Sequence, residues 1–160
     1  METMYEAVLE EPQTQDTTTM SSWNHATVAY QTTKALSRYD DEYSICPELE
    51  LELTTGRAKP DISVYHRRPA NRNRDIIRMA EPPLIAIEIL SPKQALSDIT
   101  DKTFDVLLPA GVQAVWLLIP ALRAITVYTA NQPEYTITTG PVRDVATGIE
   151  VSVDEVYAGL

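Results

Sequence analysis

Cysteine is almost absent: Cys46 stands alone in 160 residues. A single thiol cannot close an internal disulfide, so secretion gains no support from it and a reducing cytoplasm fits. No CxxC and no Cys/His cluster is present, which argues against a structural zinc site. Long hydrophobic runs are missing too. The longest, around Leu84–Leu90 and Ala114–Ile119, are too short to cross a bilayer. The first residues, METMYEAVLEEPQTQDTTT, have neither the basic n-region nor the apolar h-region of a signal peptide. A soluble, cytoplasmic protein with no membrane partner is expected. Positive charge is scarce: 13 Lys and Arg stand against 23 Asp and Glu, a net charge of -10. That balance opposes avid, non-specific binding to a phosphate backbone. Internal repeats and long low-complexity tracts are also absent.

A 44% hydrophobic fraction supports folding. The length suits one domain over residues 1–160, with a polar, loosely ordered lead-in over 1–20. The few basic residues are unevenly placed. Arg57, Lys59, Arg67, Arg68, Arg72, Arg74 and Arg78 fall close together, opposed there only by Asp61 and Asp75. The plain reading is a solvated basic loop. The functional one is a phosphate-binding patch, for which the planar fork of arginine is suited.

Residues 22–39 carry Trp23, Ala26, Ala29 or Tyr30, Thr33 and Leu36 at helical spacing, with Ser21 or Ser22 available as a cap. Residues 48–53, ELELEL, alternate as a half-buried strand does, and TTGRAK then turns the chain. DISVY reads as a second strand. A long basic connector follows, with a helical turn expected at Asp75–Met79. LIAIEIL, 84–90, has the composition of a central strand buried on both faces. A helix is expected from Ala95 to Leu108, ended by Pro109 and Gly111. VQAVWLLI, RAITVYT and EYTITTG read as further strands, and IEVSVDEVYAGL as a last strand and helical turn. The order helix, three strands, helix, strands predicts an α/β domain with a mixed sheet.

The residue most at odds with its surroundings is Glu88, inside LIAIEIL. A carboxylate there must be paired, protonated or bound to a cation, because desolvating it alone costs several kcal/mol or more. Asp61 poses a similar question where DISVY begins. Two carboxylates on neighbouring strands make an oxygen cage suited to Mg²⁺. Lys102 shares a helical stripe with Ala95, Ile99 and Val106, so it leaves the helix near the apolar side. There it can polarise a water or offset phosphorane charge. The plain alternative is a lysine that snorkels to Asp98 or Asp105.

Pro60-Asp61, Ile87-Glu88-Ile89-Leu90-Ser91-Pro92, Asp98 with Lys102, and Gly111-Val112 with Trp116-Leu117 together resemble the Uma-type endonucleases. That family is rich in cyanobacterial members and falls in the PD-(D/E)xK nuclease superfamily. The likeness covers about residues 21–130, and Ser21 and His25 match the family's usual start. It implies a restriction-endonuclease-like core, in which a mixed central sheet is flanked by helices. It also implies Mg²⁺ or Mn²⁺ as cofactor and DNA as substrate. Asp61 and Glu88 would be the metal carboxylates, with the Ile89 carbonyl a further ligand. The superfamily's lysine position, two after the glutamate, is Leu90. In this family a lysine on the next helix takes that role, here Lys102. A tyrosine frequent four residues after that lysine is replaced by Val106.

Other residues have plainer readings. His25 is distant from Asp61 in sequence and suits capping or packing better than base catalysis. His66 reads as a loop histidine, and Trp23 and Trp116 as core or interface aromatics. Among Glu48, Glu50 and Glu52, Glu52 is the best candidate for an outer carboxylate. Three functions follow: a metal-dependent nuclease acting on DNA, an inactive nuclease-fold binding or regulatory module, and a structural homodimer subunit. The apolar C-terminal strands offer a pairing surface, and two-fold dimers are the commonest oligomer. Light scattering at micromolar concentration is expected to show a dimer, and a lone 17.9 kDa species would contradict it.

Overall fold

The computed structural model describes residues 21–160, so the lead-in expected over 1–20 lies outside the described residues. Ser22 Oγ accepts a hydrogen bond from the His25 amide at 3.1 Å and caps α1, Trp23–Leu36. The expected helix over 22–39 tightens into a 3₁₀ turn at Ser37–Tyr39. Five strands follow, not three: β1 (Tyr43–Pro47), β2 (Leu51–Leu53), β3 (Gly56–Ala58), β4 (Ile62–His66) and β5 (Ile85–Ile89). No strand is expected at β1, and β3 falls within the expected TTGRAK turn. The strand expected over 48–53 shrinks to β2, which forms a small hairpin with β3. Gly56 has φ +145, a backbone position that a side chain would strain. The helical turn expected at Asp75–Met79 does not form. Met79 instead joins β2 edgewise, exchanging backbone hydrogen bonds of 2.9 Å with Glu50 and Glu52.

After β5 come α2 (Leu96–Lys102) and a π-helical turn, Thr103–Leu107, in which the Leu108 amide reaches back to the Thr103 carbonyl. The chain continues through β6 (Ala114–Ile119), β7 (Ala124–Tyr128), β8 (Tyr135–Ile137), β9 (Pro141–Arg143) and β10 (Glu150–Ser152). A Ser152–Glu155 capping box starts α3, Val153–Val156.

Six strands build the central sheet in the order β1-β4-β5-β6-β7-β8. Its β5–β6 pair is parallel and the other pairs are antiparallel, so the sheet is mixed. A parallel pair needs a crossover, and α2 lies within it. Alternation along the strands divides the core. Ile85, Ile87 and Ile89 face Val28 and Leu36 of α1 and Val153 and Val156 of α3, together with Trp116 and Leu118. Ala86, Val115 and Leu117 face Ile99, Leu107 and the β2–β3 hairpin. Glu88 points to this second face, because successive side chains of a strand alternate.

Both cores depend on full burial. Leu118 is inaccessible to solvent, whereas Val145 is 98% exposed. Leu118→Ala should lower the unfolding free energy by about 2–5 kcal/mol. Val145→Ala should change it by no more than about 0.5 kcal/mol. Urea unfolding followed by circular dichroism measures both, and equal effects would contradict this division.

Candidate active site

Pro60 has no amide to donate, so the β4 ladder ends beside it. The β4–β5 register pairs Ile62 with Ile87, and one step further it sets Asp61 opposite Glu88. Directly opposed residues of an antiparallel pair lie about 5 Å apart at Cβ. Asp61 continues the ladder through its side chain: its Oδ2 accepts the Ile89 amide at 2.7 Å. Its other oxygen, Oδ1, lies 3.1 Å from His25 Nε2. The carboxylate thus turns around the end of the sheet, touched by α1 on one side and by β5 on the other.

Glu88 is buried, and its Oε1 has no hydrogen-bond partner. Lys102 Nζ lies 3.7 Å from that oxygen, near enough for charge attraction and too far for a hydrogen bond. Lys102 comes from the last turn of α2, just before the π-helical turn, and its ion pair is with Glu88 rather than with Asp98 or Asp105. Burial pushes the Glu88 carboxyl up to about 7, against the pull of Lys102 and with a further upward push from Asp61. An acceptor-only oxygen that is dry and unpartnered, opposite a second carboxylate, fits a hard divalent cation. Among the described residues no three His, Cys, Asp or Glu side chains cluster to hold a metal. A cation here would therefore complete its shell from backbone carbonyls, solvent or substrate oxygens.

Two residues set aside by sequence reasoning lie against Asp61. His25 is one. Its Nδ1 lies 3.0 Å from Ser21 Oγ, and its pKa is raised chiefly by the hydrogen bond to Asp61, against the lowering effect of burial. The helix cap uses the His25 backbone, so the imidazole is not the capping group. Glu48 is the other. Its amide donates to the Asp61 carbonyl at 3.0 Å, and its own backbone is left-handed, with φ 52. Glu52, the favoured outer carboxylate, is instead 3.5 Å from Arg57 on the β2–β3 hairpin. No periodicity reveals the Glu48–Asp61 and His25–Asp61 contacts, because both depend on pairing between distant segments.

The basic set is not gathered at the carboxylates. Lys59 precedes Asp61 by two residues and lies 3.9 Å from Glu50. Arg67 and Arg68 follow the opposite end of β4, about 20 Å from Asp61 along the strand. Arg67 approaches Asp41, and Arg68 pairs with Glu81. Arg72 and Arg74 are exposed in the connector. His66 stacks on Tyr43 with ring centroids 5.7 Å apart. Trp116 is buried, whereas Trp23 is 86% exposed.

The family model named Uma2, described as "Putative restriction endonuclease", matches residues 9–153. A solved structure described as "a putative nuclease belonging to DUF820 from Anabaena variabilis" superposes with a TM-score of 0.77 at 22% identity. The match covers 87% of this chain and 83% of that one. The expected restriction-endonuclease-like α/β architecture, a mixed sheet between helices, is thus the one observed. No curated protein matches the chain. No helix among the described residues is long and apolar enough to cross a membrane.

The raised Glu88 pKa fixes the sign of a pH effect on stability. Between about pH 4.5 and 7 the folded protein retains a proton that the unfolded chain has lost. Stability should therefore fall as pH rises through that window, by up to about 3 kcal/mol. Glu88→Gln should remove this loss. In EDTA the variant should unfold at higher urea than wild type near pH 8, with the gap closing near pH 5. A pH-independent gap would contradict the assignment.

Proposed function

Because the chain belongs to the Uma2 family, we propose that it is a metal-dependent nuclease that hydrolyses phosphodiester bonds of DNA at Asp61, Glu88 and Lys102. The observation that carries this reading is the buried Glu88 Oε1, without a hydrogen bond, set between Asp61 and Lys102. Asp61 and Glu88 would hold Mg²⁺ or Mn²⁺, with the Ile89 carbonyl as a further ligand. When bound, the ion supplies Lewis acidity and a water of lowered pKa. Asp61 offers one remaining lone-pair direction on each oxygen, since each already holds an N–H group. Glu88 must shed its proton to bind, and Lys102 favours the ionised form. Lys102 can then orient the attacking water and offset the charge growing on the phosphorane.

Arg57 and Lys59, which shortly precede Asp61, would contact the phosphates nearest the scissile bond. Arg67, Arg68, Arg72 and Arg74 would meet the flank. The ion pairs that hold several of these side chains are exposed and weak, so a phosphate can displace the acid. A second reading, an inactive nuclease-fold binding module, is favoured by the net charge of -10 and by those same ion pairs.

Plasmid nicking tests the proposal. Cleavage should require Mg²⁺ or Mn²⁺, stop with EDTA and fall steeply with added salt, because phosphate contacts release counterions. Glu88→Gln should abolish cleavage, and Lys102→Ala should reduce it by about 10²-fold or more. Cleavage that survives EDTA and Glu88→Gln would exclude this mechanism. A folded wild type that neither cuts DNA nor binds Mn²⁺ would favour the inactive module.

A further inference from the structure

We propose that His25 is a positioning residue of this site: anchored by Ser21, it fixes the Asp61 carboxylate in the orientation that receives the cation. The inference rests on the nuclease reading above and assigns α1 a part in it. The geometry is a chain of contacts. Ser21 Oγ lies 3.0 Å from His25 Nδ1, His25 Nε2 lies 3.1 Å from Asp61 Oδ1, and Asp61 Oδ2 accepts the Ile89 amide at 2.7 Å. The network assigns the proton of the neutral imidazole to Nε2, where the carboxylate is the acceptor. The Ser21 hydroxyl then donates to Nδ1 and fixes the ring tautomer. Asp61 is thereby held at both oxygens, by α1 and by the neighbouring strand β5.

A packing role alone does not account for this ring. The α1 cap is made by Ser22 with the His25 backbone, so the helix start is satisfied without the imidazole. The His25 side chain is 11% exposed, and His25 lines two clefts, each of about 330 Å³. One cleft is lined by Tyr30, Glu48 and Asp61, and the other by Leu90, Ser91 and Gln94. The His25 ring has its nitrogens spent on Ser21 and Asp61. It has no free nitrogen with which to take a proton from water, so it positions and does not act as the base. Groups that orient a metal carboxylate in this way typically change metal affinity by about 10–100-fold when removed.

Calorimetric titration of the full chain with Mn²⁺, at a pH where the imidazole is neutral, tests the proposal apart from turnover. His25→Ala should weaken Mn²⁺ binding by about 10–100-fold. His25→Gln places an amide N–H near the lost Nε2–H and should recover most of it. Ser21→Ala, which leaves the ring in place, should weaken binding by only a few fold. Thermal melts establish that each variant is folded, and His25→Gln and Ser21→Ala keep the test open if His25→Ala does not fold. Long-range ¹H–¹⁵N spectra of the metal-free protein, which has two histidines, should show the His25 proton on Nε2. Wild-type affinity in folded His25→Ala, no recovery in folded His25→Gln, or a proton on Nδ1 would overturn the role of His25 while leaving the nuclease reading intact. Wild type that binds no Mn²⁺ would overturn both.

Discussion

A carboxylate inside a dry strand is the constraint from which the rest of the site follows. Glu88 lies in the middle of the sheet, flanked by apolar neighbours, with one oxygen that no donor reaches. Its surroundings soften that cost without removing it. Lys102 attracts it from 3.7 Å, Asp61 repels it, and burial keeps its proton attached well above the ordinary range. A core selected for stability alone would place an apolar side chain here, as β5 does at Ile85, Ala86, Ile87 and Ile89. A buried carboxylate that costs stability and meets no hydrogen-bond donor is a mark of a functional site.

The site is assembled from both faces of the sheet at one strand end. α1 brings His25 from one face, and the crossover through α2 brings Lys102 from the other. Asp61 can serve both because it lies just past the last ladder pair of β4, where its side chain is free to turn around the edge. Glu48 borders it from the adjoining strand with a left-handed backbone, a conformation uncommon outside glycine and a recurrent mark of functional sites.

The parts of this arrangement that depend on local pattern are legible in the sequence. The run LIAIEIL shows a central strand, and a charge within it is conspicuous. Of the expected stripe only the step from Ile99 to Lys102 lies within α2, and it sets Lys102 toward Glu88; Ala95 is the extended N-cap and Val106 falls in the π-helical turn. The parts decided by pairing between distant segments are not legible there. β1 is a short, partly exposed edge strand without strong alternation, so no periodicity marks it. Glu48, Glu50 and Glu52 have the same spacing parity, and only the β1–β4 register shows that Glu48 lies beside Asp61. His25 looked remote because sequence distance is a poor guide once a helix packs back across a sheet.

The parallel β5–β6 pair has an evolutionary consequence. Its crossover must pass over one face, the hand of such connections is nearly invariant, and here it covers the face to which Ala86 and Glu88 point. Substitutions in β5 can leave that geometry intact. A single-residue insertion or deletion between Ile85 and Glu88 cannot, because it inverts the alternation. The strand would remain apolar and the topology unchanged, but the carboxylate would face α1, away from Lys102. Lineages that retain the site should therefore vary in the composition of this strand and not in its length, and insertions should accumulate in the exposed 67–81 connector.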